Sequence, residues 1–543
     1  MFYITALSDF ASTGDGIVGN VALGHRSVKG RDEHMPSTFD ERDEDWRAGS
    51  IVYQVLVDRF FPPSPSRLEE KRSLYAPPRT LLEWNTTPQE GHFVEDMGVW
   101  SHELAFYGGD FESLLERLDH ICEFASILYL NPIVHSPTYH KYGADDYHAI
   151  NEEYGDWTQL QEFIQKAHER SLRMVFDFVP NHCGLRSAWF QEAKASKTSP
   201  FREFFFFDEQ DRARGWADVS ALPELNLDSE KVRSALFHGE DAVLRRYLRA
   251  GFDGARVDVA FDVGFHNLRR ISQVVREERG KQGLVIGEIN AHPARYLSVV
   301  DGVLQYYVLG LLLEWTRGGI GNARLGRLLQ RMVDEVGIDA LLRCWLMLEN
   351  HDTPRLMDRI PDRTQRHALA LLTFSLPGCV CLYYGVELGM TGEKDPYNRA
   401  AMRWDLCTDT NEELQFYRKL VALRKEKRAL RVGDFVRLDT EHVLAFLRRT
   451  RRWRETLVIL ANGSNTPVQE VVCLEDPMLM QYLELLPLFS IHERSMEPIV
   501  IGPAGTISIT LAPHDVVILG LKLPPRFSGM SPSGAYEVAR RAR

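Results

Sequence analysis

The sequence predicts an α/β protein: a (β/α)8 TIM barrel with an inserted subdomain after strand 3 and a C-terminal antiparallel β-sandwich. Three observations support this prediction. Eight short apolar runs between residues 51 and 385 alternate with longer amphipathic stretches. The interval 183–249 is too long for a single connection between a strand and the next helix. After residue 431 the pattern changes to short alternating strands.

The eight apolar runs are the predicted barrel strands, in chain order 51–57, 126–130, 173–179, 254–259, 284–288, 301–307, 344–350 and 380–385. Apolar residues recur at three- and four-residue steps in the predicted helices 111–124, 160–172 and 366–376. The predicted domains are an N-terminal arm or small subdomain (1–50), the barrel (51–182 and 250–430), the inserted subdomain B (183–249), the β-sandwich (431–523) and a tail (524–543). The tail is expected to be a solvated terminus.

Composition and charge narrow the class of protein. The chain has 543 residues and a formal net charge of -12, which disfavours nucleic acid and anionic membranes as partners. No apolar stretch approaches the roughly 20 residues needed to span a bilayer, and no secretory signal is visible. Seven cysteines without paired metal-ligand spacing favour a reducing compartment. We therefore expect a cytoplasmic protein with a neutral partner; its oligomeric state stays open.

Polar residues cluster where the predicted strands end, which is where a TIM barrel carries its active site. They are Asp177, Asn181 and His182 after the third strand, Arg256 and Asp258 on the fourth, Glu288 on the fifth, and His351 and Asp352 after the seventh. A single strand-end acid is usually a cap or an ion-pair partner. Several acids with two histidines and an arginine at one barrel mouth are harder to explain as structure, because buried charge is costly.

This set of residues suits the hydrolysis of glycosidic bonds, in which one carboxylate attacks the anomeric carbon and another protonates the leaving oxygen. The sequence shows neither a cysteine cluster nor a glycine-rich phosphate loop. A hydrolase that uses a divalent metal is the competing use of such acids. Their order and spacing favour a sugar substrate.

Four motifs resemble those of the α-amylase family, glycoside hydrolase family thirteen, in the family's order. They are DFVPNH (177–182), GARVDVA (254–260), GEI (287–289) and LENHDTPR (348–355). The resemblance runs from about Ile51 to Leu523. Flanking stretches over 107–121, 128–150 and 377–404 are most similar to the branch that contains cyclomaltodextrinase, neopullulanase and maltogenic amylase.

The resemblance implies a role for each matching residue. Asp258 would be the nucleophile, Glu288 the general acid/base and Asp352 the third carboxylate. The implied substrate-binding residues are Tyr142, His182, Arg256, His351, Asp395 and Arg399. In these roles Arg256 would keep Asp258 ionised, Tyr142 would stack under the sugar at the cleavage point, and Asp395 with Arg399 would hold the next ring toward the non-reducing end.

The implied activity is retaining hydrolysis of α-1,4 or α-1,6 glucosidic bonds in malto-oligosaccharides or starch-like glucans. Transfer of the glucosyl group to a sugar acceptor is one alternative. A catalytically silent sugar-binding or regulatory member of the family is another. No cofactor is expected to be required; Asn181 matches a residue that ligates calcium in other members, but one asparagine is weak support for a site that needs about six to eight oxygens.

Three positions depart from the family's pattern. Gly143 follows Tyr142 where the branch commonly has Asp. Phe261 and Asp262, three and four residues after the nucleophile, differ from the residues that other members carry there. We expect these departures to affect the rigidity of the cleavage point and the specificity of the acceptor side.

Overall fold

The computed structural model describes residues 38–492, 497–522 and 531–541. Most of the predicted N-terminal arm (1–37) and parts of the predicted tail (524–530 and 542–543) lie outside the described residues. In the ranges that are described, no helix has both the length and the apolar character needed to cross a membrane.

Eight parallel strands close into a barrel, which confirms the predicted fold class. They are β1 (Ile51–Val55), β2 (Ile127–Leu130), β3 (Arg173–Phe178), β4 (Gly254–Val257), β5 (Leu284–Ile289), β6 (Gly302–Gln305), β7 (Trp345–Met347) and β8 (Cys379–Tyr383). Each strand pairs with its neighbours in chain order, and β1 pairs with β8 to close the ring. At the closure, Val52 is in register with Ile127 on one side and Cys381 on the other.

The alternation of side chains along a strand explains how the barrel carries polar groups at one end. Its inner face is filled by apolar residues such as Val175 and Ile286, together with Cys379 and Cys381. One step further along β3, β4 and β5, the same inward face carries Asp177, Arg256 and Glu288. The apolar layer therefore supports a cluster of charged side chains at the carboxyl ends of the strands.

Helices surround the barrel as predicted. The principal ones are Phe111–Glu116, Leu118–Phe124, Trp157–Glu169, Val243–Ala250, Ala260–Arg279, Tyr306–Thr316, Asn322–Val336, Arg363–Ser375 and Glu412–Glu426. The predicted helix 111–124 is divided in two at Arg117, and the predicted helix 366–376 begins earlier, after the cap at Asp362. Shorter helices are Phe39–Glu44, Val57–Phe60, Pro65–Lys71, Ala188–Ala195, Glu230–Arg233, Ile338–Arg343, Leu356–Arg359 and Arg428–Val432.

The inserted segment after β3 contains the helix Ala188–Ala195 and, near its end, the short helices Glu230–Arg233 and Ser234–His238 before the barrel helix Val243–Ala250; between them it has little regular structure. Isolated bridges fold it onto itself, such as the pair Phe205 and Leu225. A further bridge joins Glu224 to His182 at the end of β3. This places the inserted segment beside the mouth of the barrel.

The C-terminal region is a β-sandwich, as predicted. Its six-stranded sheet contains, in spatial order, Asp434–Arg437, Leu444–Arg449, Leu457–Asn462, Asp515–Leu521, Glu484–Ser490 and Ile499–Val500. A second sheet pairs Val468–Cys473 with Thr506–Leu511. Apolar side chains from both sheets form one buried core between them.

Part of the tail differs from the solvated terminus that the sequence predicts. Residues Pro532–Arg541 form a helix, and Ala535 on it is fully buried against the core of the sandwich. Val538 and Ala539 pack against the same core. Val538 and Ala539 lie three and four positions after Ala535, so the three residues form one apolar stripe on the helix. The stripe is short and its neighbours are mostly polar, so it gave no clear helical pattern in the sequence.

Candidate active site

Arg256 lies at the centre of the charged cluster and has no solvent-exposed surface. Its Nη1 atom donates hydrogen bonds of 2.7 Å to Asp177 Oδ1 and of 2.7 Å to Asp258 Oδ1. Its Nη2 atom lies 2.9 Å from Glu288 Oε1, without hydrogen-bond geometry. One guanidinium group therefore contacts three carboxylates from three successive strands.

Glu288 is held from both sides of its carboxylate. The backbone N–H of Val259 donates to Oε2 at 2.9 Å, and the Tyr306 hydroxyl donates to Oε1 at 3.4 Å. Val259 has a φ of 49°, a left-handed conformation that is rare for a β-branched residue. This turn after Asp258 is what aims the N–H group at Glu288. Asn350 donates to the Tyr306 hydroxyl at 2.5 Å and fixes it in turn.

Asp177 is a structural partner of the cluster. Besides Arg256, its carboxylate accepts hydrogen bonds from the hydroxyls of Tyr129 at 2.5 Å and Tyr142 at 2.7 Å. Asn131 donates to the Tyr142 hydroxyl at 2.8 Å. These hydrogen bonds fix the hydroxyl end of Tyr142, and its ring lies at the mouth of the barrel.

Asp352 lies between a histidine and an arginine. Its two oxygens are 3.1 Å from His351 Nε2 and 3.1 Å from Arg399 Nη2. Gln54 Nε2 donates to His351 Nδ1 at 2.8 Å, so a neutral His351 ring carries its proton on Nε2. His351 Nε2 lies 2.6 Å from the Tyr142 hydroxyl oxygen and 3.1 Å from Asp352 Oδ2, so its proton faces both groups.

Asp395 and Arg399 lie together next to Asp352, as the resemblance implies. Arg399 Nη1 is 3.6 Å from Asp395 Oδ1, and Nε donates to the backbone oxygen of His351 at 2.8 Å. The Tyr139 hydroxyl donates to Asp395 Oδ1 at 2.7 Å. Burial opposes ionisation of Asp395, but Arg399, His102 and Tyr139 outweigh it and lower its pKa.

Burial and mutual repulsion set the charge of the three acids. Burial raises the pKa of Asp258 well above its usual range, and the attraction of Arg256 does not offset it. Burial also raises the pKa of Glu288, and the charge of Asp352 adds to this effect. Partial burial also opposes ionisation of Asp352, whose side chain is 41% exposed, but His351 and Arg399 outweigh it and lower its pKa. Arg256 forms the expected ion pair with Asp258 and opposes the rise of its pKa, so ionisation of Asp258 by Arg256 stays a prediction.

The two histidines are neutral over the working range of an ordinary enzyme. Burial lowers the pKa of His182 to about 3, and it does the same for His351. Neutral imidazoles can donate a hydrogen bond to a sugar hydroxyl without adding charge beside the carboxylates.

Two of the three positions that depart from the family pattern, Gly143 and Asp262, each face the inserted segment, whereas Phe261 packs against the hydrophobic core. Asp262 Oδ2 accepts a 3.0 Å hydrogen bond from Trp216 Nε1 in the inserted segment. The Trp216 ring stacks on His182, with 5.1 Å between centroids. An added Cβ at Gly143 would lie 3.2 Å from Leu222 Cδ2, which is also in the inserted segment. The close approach of Leu222 leaves little room for a larger side chain, such as the Asp that the branch commonly has at this position.

No group of three or more His, Cys, Asp or Glu side chains within the described ranges is arranged to hold a metal ion. Asn181 is buried, its backbone oxygen accepts from Leu225 N at 2.9 Å, and its Nδ2 atom has no hydrogen-bond partner. A calcium site needs several oxygen ligands, so the donors around Asn181 do not fit that role on their own. The sequence predicted no required metal and gave Asn181 only as a weak calcium candidate; that prediction stays untested.

Sequence reasoning missed several residues of the site: Gln54, Tyr129, Asn131, Trp216, Tyr306 and Asn350. A usable signal existed for Gln54 and Tyr129, because each is a polar group at an inward position of an apolar strand. Trp216 carries no such signal, since only the fold of the inserted segment brings it to the rim.

Comparison with known proteins identifies the family of the chain. The alpha-amylase family model, described as the alpha amylase catalytic domain, matches residues 54–283 and 322–412. A cyclomaltodextrinase of Thermoanaerobacter pseudethanolicus is 26% identical over 447 residues, which cover 80% of this chain and 73% of that protein. Neopullulanase 2 of Thermoactinomyces vulgaris is 26% identical over 494 residues, covering 88% and 78%.

A solved structure, the ligand-free cyclic alpha-maltosyl-(1→6)-maltose hydrolase of Arthrobacter globiformis, superposes with a TM-score of 0.69. It is 25% identical, and the match covers 86% of this chain and 99% of that one. With a family model matching more than half of its length, the chain belongs to the alpha-amylase family and is a glycoside hydrolase.

Proposed function

We propose that this glycoside hydrolase cleaves α-1,4 glucosidic bonds, and α-1,6 bonds where they occur, in malto-oligosaccharides or starch-like glucans. The contact of the single Arg256 guanidinium with both Asp258 and Glu288 carries this proposal. It holds two carboxylates side by side at the barrel mouth, as a retaining glycosidase requires. The names of two relatives, a cyclomaltodextrinase and a cyclic alpha-maltosyl-(1→6)-maltose hydrolase, support the substrate class.

The proposed roles follow from charge and position. With substrate bound, Asp258 is ionised beside Arg256, and its carboxylate attacks the anomeric carbon and forms a covalent glycosyl ester while the glycosidic bond breaks. Glu288, protonated because burial raises its pKa, gives its proton to the leaving oxygen. It then takes a proton from water, which attacks the ester and releases a product that keeps the α configuration. Asp352, His182 and His351 bind hydroxyls of the sugar at the cleavage point.

The test is the loss of turnover in two single variants. Asp258→Asn removes the nucleophile and Glu288→Gln removes the transferable proton, so each should lower kcat on maltotriose by about 10³-fold or more. Both variants should retain the circular dichroism spectrum of the wild type. Product anomers followed by NMR should appear initially as α; an initially β product, or full activity in either variant, would exclude the assignment.

The same proposal includes a cytoplasmic location. All seven cysteines are free thiols, four of them buried, and such thiols persist in a reducing compartment. An assay for free thiols in protein taken directly from cells would check this, since seven reactive thiols after denaturation are expected.

A further inference from the structure

An aromatic surface lies on the loop after β1, outside the residues assigned above. Two short strands, Phe93–Val94 and Val99–Trp100, form a hairpin there. Five large apolar side chains are exposed in the described part of the chain, and two of them are Phe93 (41% exposed) and Trp100 (49% exposed). Their rings are neighbours, with 5.9 Å between centroids. Contiguous exposed apolar side chains with polar residues around them mark ligand-binding grooves and interaction sites.

The hairpin is continuous with the substrate side of the active site. The Trp100 ring stacks on His102, with 6.1 Å between centroids and 24° between planes. His102 Nε2 in turn lies 3.4 Å from Asp395 Oδ2. The resemblance implies that Asp395 holds the second sugar ring from the cleaved bond. Trp100 lies beyond His102 on the side of His102 away from Asp395.

Several contacts fix the hairpin in place. Glu90, just before it, pairs with Lys394 beside Asp395 at 2.7 Å. Glu103 accepts a hydrogen bond from the backbone of Trp100 at 2.5 Å, and its other oxygen lies 3.1 Å from His140 Nε2. The turn at Gly98 lies against the inserted segment, because an added Cβ there would be 3.1 Å from Leu185 Cδ2. The aromatic rings are therefore pre-organised, which lowers the entropic cost of binding.

We propose that Trp100, with Phe93 beside it, is a platform for a glucosyl ring at least two units from the cleaved bond, toward the non-reducing end. A glucose ring has an apolar C–H face that stacks on an aromatic ring, while its hydroxyls stay in water at the rim. This inference rests on the proposed function. It predicts that the protein gains affinity when a malto-oligosaccharide is lengthened, and that Trp100 supplies much of the gain.

Calorimetry can test the platform in the Asp258→Asn background, which does not consume the ligand. Affinities for maltose and maltotetraose are measured with and without Trp100→Ala. The parent should bind maltotetraose more tightly than maltose. Trp100→Ala should reduce that ratio of affinities about tenfold, the size expected for a truncated aromatic contact, whereas Trp100→Phe should keep most of it. Because Trp100 is exposed, neither substitution should affect folding.

Met478→Ala is the matched control, since Met478 is 42% exposed and lies in the C-terminal β-sandwich. It should leave the ratio unchanged. An unchanged ratio in Trp100→Ala, or no gain with length in the parent, would overturn the platform. The wild-type protein is assayed for cleavage of the same maltotetraose: length-dependent binding without cleavage would overturn the proposed hydrolysis and leave the platform standing.

Discussion

Glu288 shows how a site can be arranged for chemistry at the expense of stability. Burial and the neighbouring carboxylates raise its pKa in the folded protein, so its ionised form is disfavoured there relative to the unfolded chain. A group with a raised folded pKa contributes stability that is fully present below the unfolded pKa. That contribution is lost as the pH rises through the folded pKa.

Glu288→Gln should therefore stabilise the protein at neutral pH. Glutamine is neutral at every pH, so the variant avoids the cost of a buried charge beside Asp258 and Asp352. We expect the free energy of unfolding to exceed that of the wild type by about 1 kcal/mol at pH 7. The difference should shrink as the pH falls toward about 4, where wild-type Glu288 is protonated. Urea unfolding at several pH values measures it, and a difference that grows on acidification would contradict the argument.

At this scale the sequence predicted the acids and the residues that flank them, because each ends an apolar strand. It did not predict that burial raises the pKa of Asp258. Arg256 stands two residues before it, which indicates an ion pair, but the same guanidinium also serves Asp177 and Glu288. How one cation is shared among several acids depends on three-dimensional distances that no local pattern contains.

At the scale of elements, a hydrogen bond at the barrel mouth joins the inserted segment to the first turn of the helix Ala260–Arg279. Asp262 accepts from Trp216, whose ring covers His182 beside the cleavage point. This contact would narrow the acceptor side of the site and limit the access of water to the glycosyl ester. Access of water decides between hydrolysis and transfer in a covalent mechanism.

Asp262→Leu removes the acceptor that holds the Trp216 ring, so water should reach the glycosyl ester more easily. The ratio of hydrolysis product to transfer product should rise about fivefold, which corresponds to the free energy of about one hydrogen bond. Asp262→Asn keeps an oxygen that can accept from Trp216 and should stay near the wild type. Trp216→Ala should give the same change as Asp262→Leu, and the double variant no more than either. Products from maltotriose with added glucose as acceptor give the ratio. Additive effects of the two single variants would exclude a shared mechanism.

Elements with a regular hydrophobic period were predicted well, and elements without one were not. Each barrel strand is a compact apolar run, so all eight were identified within a few residues of their ends. The inserted segment and the hairpin 91–102 have no such period, because bridges and side-chain contacts hold them rather than a buried face. The sequence located the insertion by its length alone.

At the scale of the whole molecule, a residue before the barrel ties its domains together. Arg42 is 4% exposed, and its Nε atom donates to Asp339 Oδ1 at 2.7 Å, beside the barrel. Its Nη1 atom donates to Asp434 Oδ1 at 2.8 Å and to the backbone oxygen of Val432 at 3.1 Å, at the start of the sandwich. Residues that the sequence left without a role thus bridge the barrel and the C-terminal β-sandwich.

Arg42→Ala should destabilise the folded chain by about 1–3 kcal/mol, because it removes a buried cation from two carboxylates and from a backbone oxygen. The two acids are partly exposed, so water compensates for some of the loss and the lower half of this range is expected. Arg451→Ala is the matched control: Arg451 also forms an ion pair, with Asp40, but both side chains are mostly exposed, and its loss should cost less than about 0.5 kcal/mol. Denaturant unfolding followed by fluorescence and by activity would measure both variants.

If Arg42 couples the barrel to the sandwich, the unfolding curves from fluorescence and from activity should coincide in the wild type and separate in Arg42→Ala. Equal stability of Arg42→Ala and Arg451→Ala would show that the bridge contributes no more than a surface ion pair.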